Sequence, residues 1–138
     1  MGTDIVVGVD GSEDSKRALA WAVEEAKLRG TRVRAVLCWS YLGMAGSEMG
    51  VGTTEEDALA FLRSAIDDAV AETDRGLVDP TPVNDLPIPG MLAQAETAAL
   101  VVVGSRGRGG VKGLVLGSVS RTVVERSAVP VVVLPHLG

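Results

Sequence analysis

The sequence predicts a doubly wound α/β sandwich, a five-stranded parallel sheet with helices on both faces. Short apolar, β-branched runs at residues 5–9 and 100–103 have the composition of strands buried on both sides. Between such runs lie segments whose apolar residues recur at helical spacing. Strands that alternate with helices require right-handed crossovers, and these give a parallel sheet covered on both faces.

Residues 5–9 form strand one. Ser12 caps the helix behind it, on which Leu19, Ala22, Val23 and Ala26 share a face, and Gly30 supplies the stop. Residues 32–39 form strand two. A second helix opens on the capping box Thr53-x-x-Glu56, aligns Ala58, Leu62, Ala65, Ile66 and Ala69, and stops at Gly76. Its acidic residues, Asp67, Asp68 and Glu72 among them, are expected on a solvated face. Prolines 80, 82, 87 and 89 interrupt the next stretch. Proline removes a ladder donor, so strand three is expected to be short, around residues 82–85, and at a sheet edge. Helix three is expected over residues 88–97, strand four over 99–103, helix four over 118–126 and strand five over 130–134.

The chain has 138 residues, 46% of them hydrophobic, which suits one domain over residues 1–138 with a substantial core. A formal charge of -5 and a pI near 4.8 argue against a nucleic-acid binder, whose footprint would be a basic face. An anion would therefore have to be held locally. Arg106, Arg108, Lys112 and Arg121 cluster where that is expected. The single cysteine, Cys38, allows no internal disulfide and fits a reducing compartment. No apolar stretch approaches the roughly 18 residues that would span a bilayer. The expected location is cytoplasmic, with no membrane partner.

Strand four runs straight into Gly104-Ser-Arg-Gly107-Arg-Gly109-Gly110 and, further on, Gly117-Ser118-Val119-Ser120. Glycines after a buried strand, followed by Gly-Ser at a helix start, let backbone N–H groups converge on a phosphate. A Walker A loop would need Gly-Lys-Ser/Thr, but Lys112 stands between Val111 and Gly113. A dinucleotide fingerprint starting at Gly107 would need glycine at Lys112. What remains has the form G-x2-G-x9-G-S. It matches the ATP-binding motif of the universal stress proteins, and the whole chain resembles that family, from Val6-Val-Gly-Val-Asp10-Gly-Ser12 to Val129-Pro-Val-Val-Val133.

The resemblance implies strand order 3-2-1-4-5, an adenine-nucleotide α-hydrolase-like arrangement in which strands one and four lie side by side at the switch point. Ligands of such sheets bind at the carboxyl ends of the strands there. ATP, with or without Mg²⁺, is the implied ligand. The residues expected to hold it are Val9, Asp10, Cys38, Gly104, Arg106, Gly107, Gly109, Gly117, Ser118, Val119 and Ser120. Asp10 would accept hydrogen bonds from ribose or hold Mg²⁺ through water; its other reading is a cap for helix one. Cys38 maps to the family's adenine wall. The resemblance also puts a helix-opening proline at Pro87, preceded here by Asp85-Leu86 instead of the family's Gly-Asp, and implies a homodimer through residues 130–134. Pro130 and Pro135 would confine that edge to a short register. Residues 40–53, with four glycines and two methionines, form either a lid over the adenine pocket or a disordered connection.

Catalytic machinery is thin. The one histidine, His136, follows Pro135 in the tail and is expected far from the switch point. No His-Cys cluster suggests a resident metal, and no nucleophile, base and orienter assemble from the sequence. The leading reading is an ATP-binding regulatory protein. A related α-hydrolase-type enzyme with slow ATP hydrolysis and a nucleotide-free dimeric interaction module are the alternatives. The first of these lacks the Ser-Gly-Gly loop that grips pyrophosphate, since Asp10-Gly-Ser-Glu-Asp-Ser15 stands in its place.

Overall fold

A computed structural model describes residues 2–40, 54–106 and 116–136. Its strands are β1 (Ile5–Gly8), β2 (Val33–Cys38), β3 (Val78–Val83), β4 (Leu100–Gly104) and β5 (Val131–Leu134). The helices are α1 (Glu13–Arg29), α2 (Glu55–Ala69), α3 (Pro87–Ala95) and α4 (Ser118–Arg126), with a 3-10 turn at Glu72–Leu77 before β3. All strand pairs are parallel and the order is β3-β2-β1-β4-β5, as expected.

The period-two alternation of the strands divides the core into two layers. Ile5, Val7, Val33, Ala35, Leu37, Leu100 and Val102 pack under α1 and α2, against Leu19, Ala22, Leu62 and Ile66. Val6, Val36, Cys38, Val101 and Val103 pack under α3 and α4, against Met91, Ala95 and Val123. Both faces of the central strands are thus apolar, which explains their unbroken hydrophobic runs. No helix among the described residues is long and apolar enough to cross a membrane.

α1 begins and ends where the sequence indicates. Ser12 Oγ accepts the Ser15 N–H, and Gly30 closes the helix in the left-handed region at φ 68°. α2 differs at both ends. Its N-cap is Thr54, whose hydroxyl accepts the Asp57 N–H at 3.0 Å, and the expected Thr53 lies outside the described residues. The helix stops at Ala69, not Gly76, because Arg75 folds back and caps its carbonyls: Nε donates to Val70 O at 3.1 Å and Nη2 to Asp67 O at 3.0 Å. A side chain six positions beyond the helix thus does the work assigned to a glycine.

β3 is longer than residues 82–85 and starts earlier, yet it lies on the edge as expected. Val83 O accepts the Trp39 N–H at 2.8 Å, so Val83 faces β2. Residues of the other parity, Pro80 and Pro82, then turn their donorless nitrogens to the free side. Two prolines spaced by two cost this strand no ladder bond. Pro87 opens α3 as expected, one residue earlier than residue 88, and α3 ends at Ala95, short of residue 97. β4 is offset by one residue from the expected 99–103, ending on Gly104, while α4 coincides with residues 118–126.

Candidate nucleotide site

Adjacent β1 and β4 bring two turns together at their carboxyl ends. The first follows β1. Val9, buried on the α1 side of the sheet, donates its N–H to Val36 O at 2.8 Å, and the chain then turns sharply at Gly11, whose φ of 86° suits glycine. Asp10 Oδ1 accepts the Ser12 N–H at 2.9 Å, and the Asp10 N–H reaches Ser15 Oγ at 3.3 Å. Ser12 is the helix cap, and Asp10 braces the turn before it. The carboxylate is fixed at the strand end, half-buried, whatever else it binds.

The second turn follows β4. A Cβ at Gly104 would lie 2.8 Å from Asp14 Cβ and 3.0 Å from the Asp14 backbone, so the first turn of α1 rests directly on this glycine. Gly104 O accepts the Ser120 hydroxyl at 2.6 Å, and Ser105 O accepts the Gly117 N–H at 2.7 Å. Those two bonds cross-tie the ends of the glycine-rich stretch and hold the start of α4 against the end of β4. Gly107 and Gly109, and the basic residues Arg108 and Lys112, lie outside the described residues, as do residues 41–53 and the lid expected there.

The start of α4 is suited to an anion. Gly117 is its N-cap in an extended conformation, φ -71° and ψ 169°, and as a glycine it has no side chain to cap the first turn. The helix therefore presents the N–H groups of its first turn, at Ser118, Val119 and Ser120, without a competing acceptor from the cap. Ser118 is exposed, Val119 and Arg106 are half-buried, and Ser120 is buried. One further group was missed by the sequence reading. Ser105 is 3% exposed and its hydroxyl makes no hydrogen bond among the described residues. An orphaned buried hydroxyl costs about 1–3 kcal/mol, so an acceptor at this strand end would relieve it. Its signal in the sequence was position alone, the first residue between a buried strand and the glycines.

Cys38 sits one strand away and on the α3 side. It is 8% exposed, and a Cβ at Gly90 would stand 2.5 Å from its Sγ, so α3 packs closely on it. Burial pushes the Cys38 thiol up to about 12 from an ordinary 9.0, with Asp85 adding to the effect. The thiol is thus held protonated and inert. Alkylation of native protein by iodoacetamide is expected to be slow up to about pH 9 and to become fast only on unfolding, read by mass spectrometry. The same shift has a stability consequence. The raised folded value stabilises the protein fully below the unfolded value and is lost as pH rises through the folded one, so stability should fall in the alkaline range.

His136 is not where the sequence reading put it. Its Nδ1 lies 2.9 and 3.0 Å from the two carboxylate oxygens of Asp14, in the first turn of α1 beside Gly104. Arg17 completes the contact, with Nη1 3.3 Å from Asp14 Oδ1 and Nη2 donating to Pro135 O at 2.9 Å. Periodicity could not reveal this pair, because its members are 122 residues apart. Among the described residues, no cluster of three or more His, Cys, Asp or Glu could hold a metal ion.

Comparison with known proteins agrees with this geometry. A model of the universal stress protein family matches residues 1–135. Universal stress protein Rv1996 of Mycobacterium tuberculosis is 40% identical over 138 residues, covering 94% of this chain and 43% of the relative, so the chain spans less than half the length of such curated relatives. Among solved structures, a universal stress protein in complex with cAMP is 27% identical with a TM-score of 0.69, over 96% of this chain and 95% of that one. The universal stress protein of Archaeoglobus fulgidus in complex with dAMP is also 27% identical at a TM-score of 0.69, over 95% and 96% of the two chains.

Proposed function

The chain belongs to the universal stress protein family, and on that premise we propose that it is an ATP-binding regulatory protein, one such domain over residues 1–138, acting in the cytoplasm. The observation that carries this reading is the amino end of α4, tied by Gly117 to Ser105 and given no side-chain cap by its N-cap residue. Family relatives solved with cAMP and dAMP support an adenine nucleotide as the class of ligand. Phosphates would lie on the N–H groups of Ser118, Val119 and Ser120 and the glycines before them, with Arg106 supplying charge. Asp10 and Val9 would take the ribose side, Cys38 would stand by the adenine, and Mg²⁺ would come with the phosphates.

Such a site binds without needing rapid chemistry, and occupancy of the nucleotide would be what partners read. The test is direct. Protein purified without added ligand is denatured and any released nucleotide identified by chromatography and mass spectrometry. ATP supports the reading, cAMP would change the ligand within it, and no nucleotide together with no ATP binding by calorimetry would leave the nucleotide-free interaction module.

We propose in addition a homodimer through β5. This strand is an edge of the sheet and all four of its residues are apolar and half-buried. Pro130 O accepts from Val101 and Leu134 O from Ser105, so even-numbered residues face β4 while Val131 and Val133 turn their N–H and C=O groups outward. An exposed apolar edge is stable when paired, and antiparallel pairing of two copies closes on itself. Val133→Pro removes an outward donor and leaves the β4 ladder intact. It should shift the protein to monomer in sedimentation at micromolar concentration, and an unchanged dimer mass would place the interface elsewhere.

A further inference from the structure

We infer that Asp14 and His136 form an orienter and general-base pair beside the nucleotide site, in which His136 Nε2 takes a proton from the water that attacks the terminal phosphate of a bound nucleoside triphosphate. The inference rests on the nucleotide reading above and deepens it, since it assigns a slow hydrolytic activity to named atoms.

Asp14 is a buried carboxylate, its side chain 6% exposed. A buried charge is retained at a cost unless its partners hold it well. Here they are Arg17 and the single histidine of the chain. A carboxylate only accepts, so with both oxygens near Nδ1 that nitrogen carries the hydrogen and the neutral ring keeps its lone pair on Nε2. Nε2 makes no hydrogen bond among the described residues, and the side chain is 39% exposed, so this nitrogen is available. That is the arrangement of a base held by a buried acid.

Its location follows from the sheet. Gly104 is in register with Leu134, and Ser105 N donates to Leu134 O at 2.9 Å. β5 ends at Leu134, two residues before His136, and β4 ends beside it at Gly104, where the chain leaves for the glycine-rich stretch. On the other side, Asp14 rests on Gly104. The pair is therefore anchored to the same strand end as the anion-binding turn. Arg17, holding both Asp14 and Pro135 O, fixes the segment after β5 that carries His136.

In the step, the water oxygen bonds to the terminal phosphorus and the bond from that phosphorus to the bridging oxygen breaks. The nucleoside diphosphate leaves with the electron pair, and the water proton passes to Nε2. The resulting imidazolium is paired with Asp14. Water and the triphosphate are the only reactants needed. A positioned base of this kind contributes about 10²–10⁴-fold.

Because His136 is the only histidine, its ring signals in long-range ¹H–¹⁵N spectra are unambiguous. At alkaline pH the native protein should show the Nδ1–H tautomer, and Asp14→Asn should shift it toward Nε2–H. Saturation with a non-hydrolysable ATP analogue should move the Nε2 resonance. His136→Ala should bind ATP within about twofold of native affinity in calorimetry while phosphate release falls at least ~10-fold, with partial recovery on adding imidazole. An Nε2–H tautomer in the native protein, a ring unmoved by the analogue, or unchanged phosphate release in His136→Ala would each overturn the assignment. Native ATP binding with any of those outcomes removes only the base; absence of ATP binding removes the nucleotide reading and the base with it.

Discussion

Gly104→Val is expected to cost about 3 kcal/mol of stability, at the upper end of overpacking penalties. A Cβ there would stand 2.8 Å from Asp14 Cβ and 3.0 Å from the Asp14 carbonyl carbon and oxygen. Backbone of a helix cannot swing aside as a long side chain would, so α1 must shift away from β4. That shift would also draw Asp14 from His136 and loosen the turn at Ser12. The control is Gly76→Ala, at a site with nothing within 4 Å of the new methyl and no left-handed φ. It should be neutral or stabilising by up to ~1 kcal/mol, since alanine restricts the unfolded chain. Urea unfolding of the two variants measures the contrast, and equal midpoints would show that α1 does not rest on Gly104.

Gly117→Val and Ser118→Ala are expected to weaken ATP binding by roughly ten- to hundredfold each, the equivalent of a lost charge-assisted hydrogen bond of about 1.5–3 kcal/mol. Gly117 has an extended backbone that any residue adopts. Valine there introduces no backbone strain, so a loss of affinity would report a side chain standing where phosphate must approach. Ser118 is exposed at the first turn of α4, and its carbonyl, which accepts the Thr122 hydroxyl at 2.9 Å, is untouched by the change to alanine. Folding should therefore be preserved in both variants. Calorimetry giving native affinity in folded Gly117→Val would remove the phosphate assignment from α4.

These two glycines were legible in different degrees. Gly117 belongs to a spaced motif at a helix start, and its position as the α4 N-cap follows from local chemistry that the sequence carries. Gly104 was also read from the motif, as part of a phosphate cradle. Its contact with Asp14 is a separate demand, set by how closely α1 packs on β4, and no local pattern announces it. Ser105 and His136 show the same limit. One is buried with its hydroxyl unmatched among the described residues, and the other follows β5 and looked remote because its strand-end partner is distant along the chain.

What the sequence by itself determined was much of what near neighbours govern. Apolar runs specified the strands, Ser12 and Gly30 bounded α1, and the paired prolines of β3 were confined to an edge because proline has no N–H to give. With the family motif these signals also yielded the strand order. Tertiary structure alone decided the end of α2, capped by Arg75 from beyond the helix, and the meeting of Asp14, Arg17 and His136. The physical reason is that dihedral preference, capping and periodicity act over a few residues. A buried carboxylate's choice of partner depends instead on which groups the parallel crossovers bring to the same strand end.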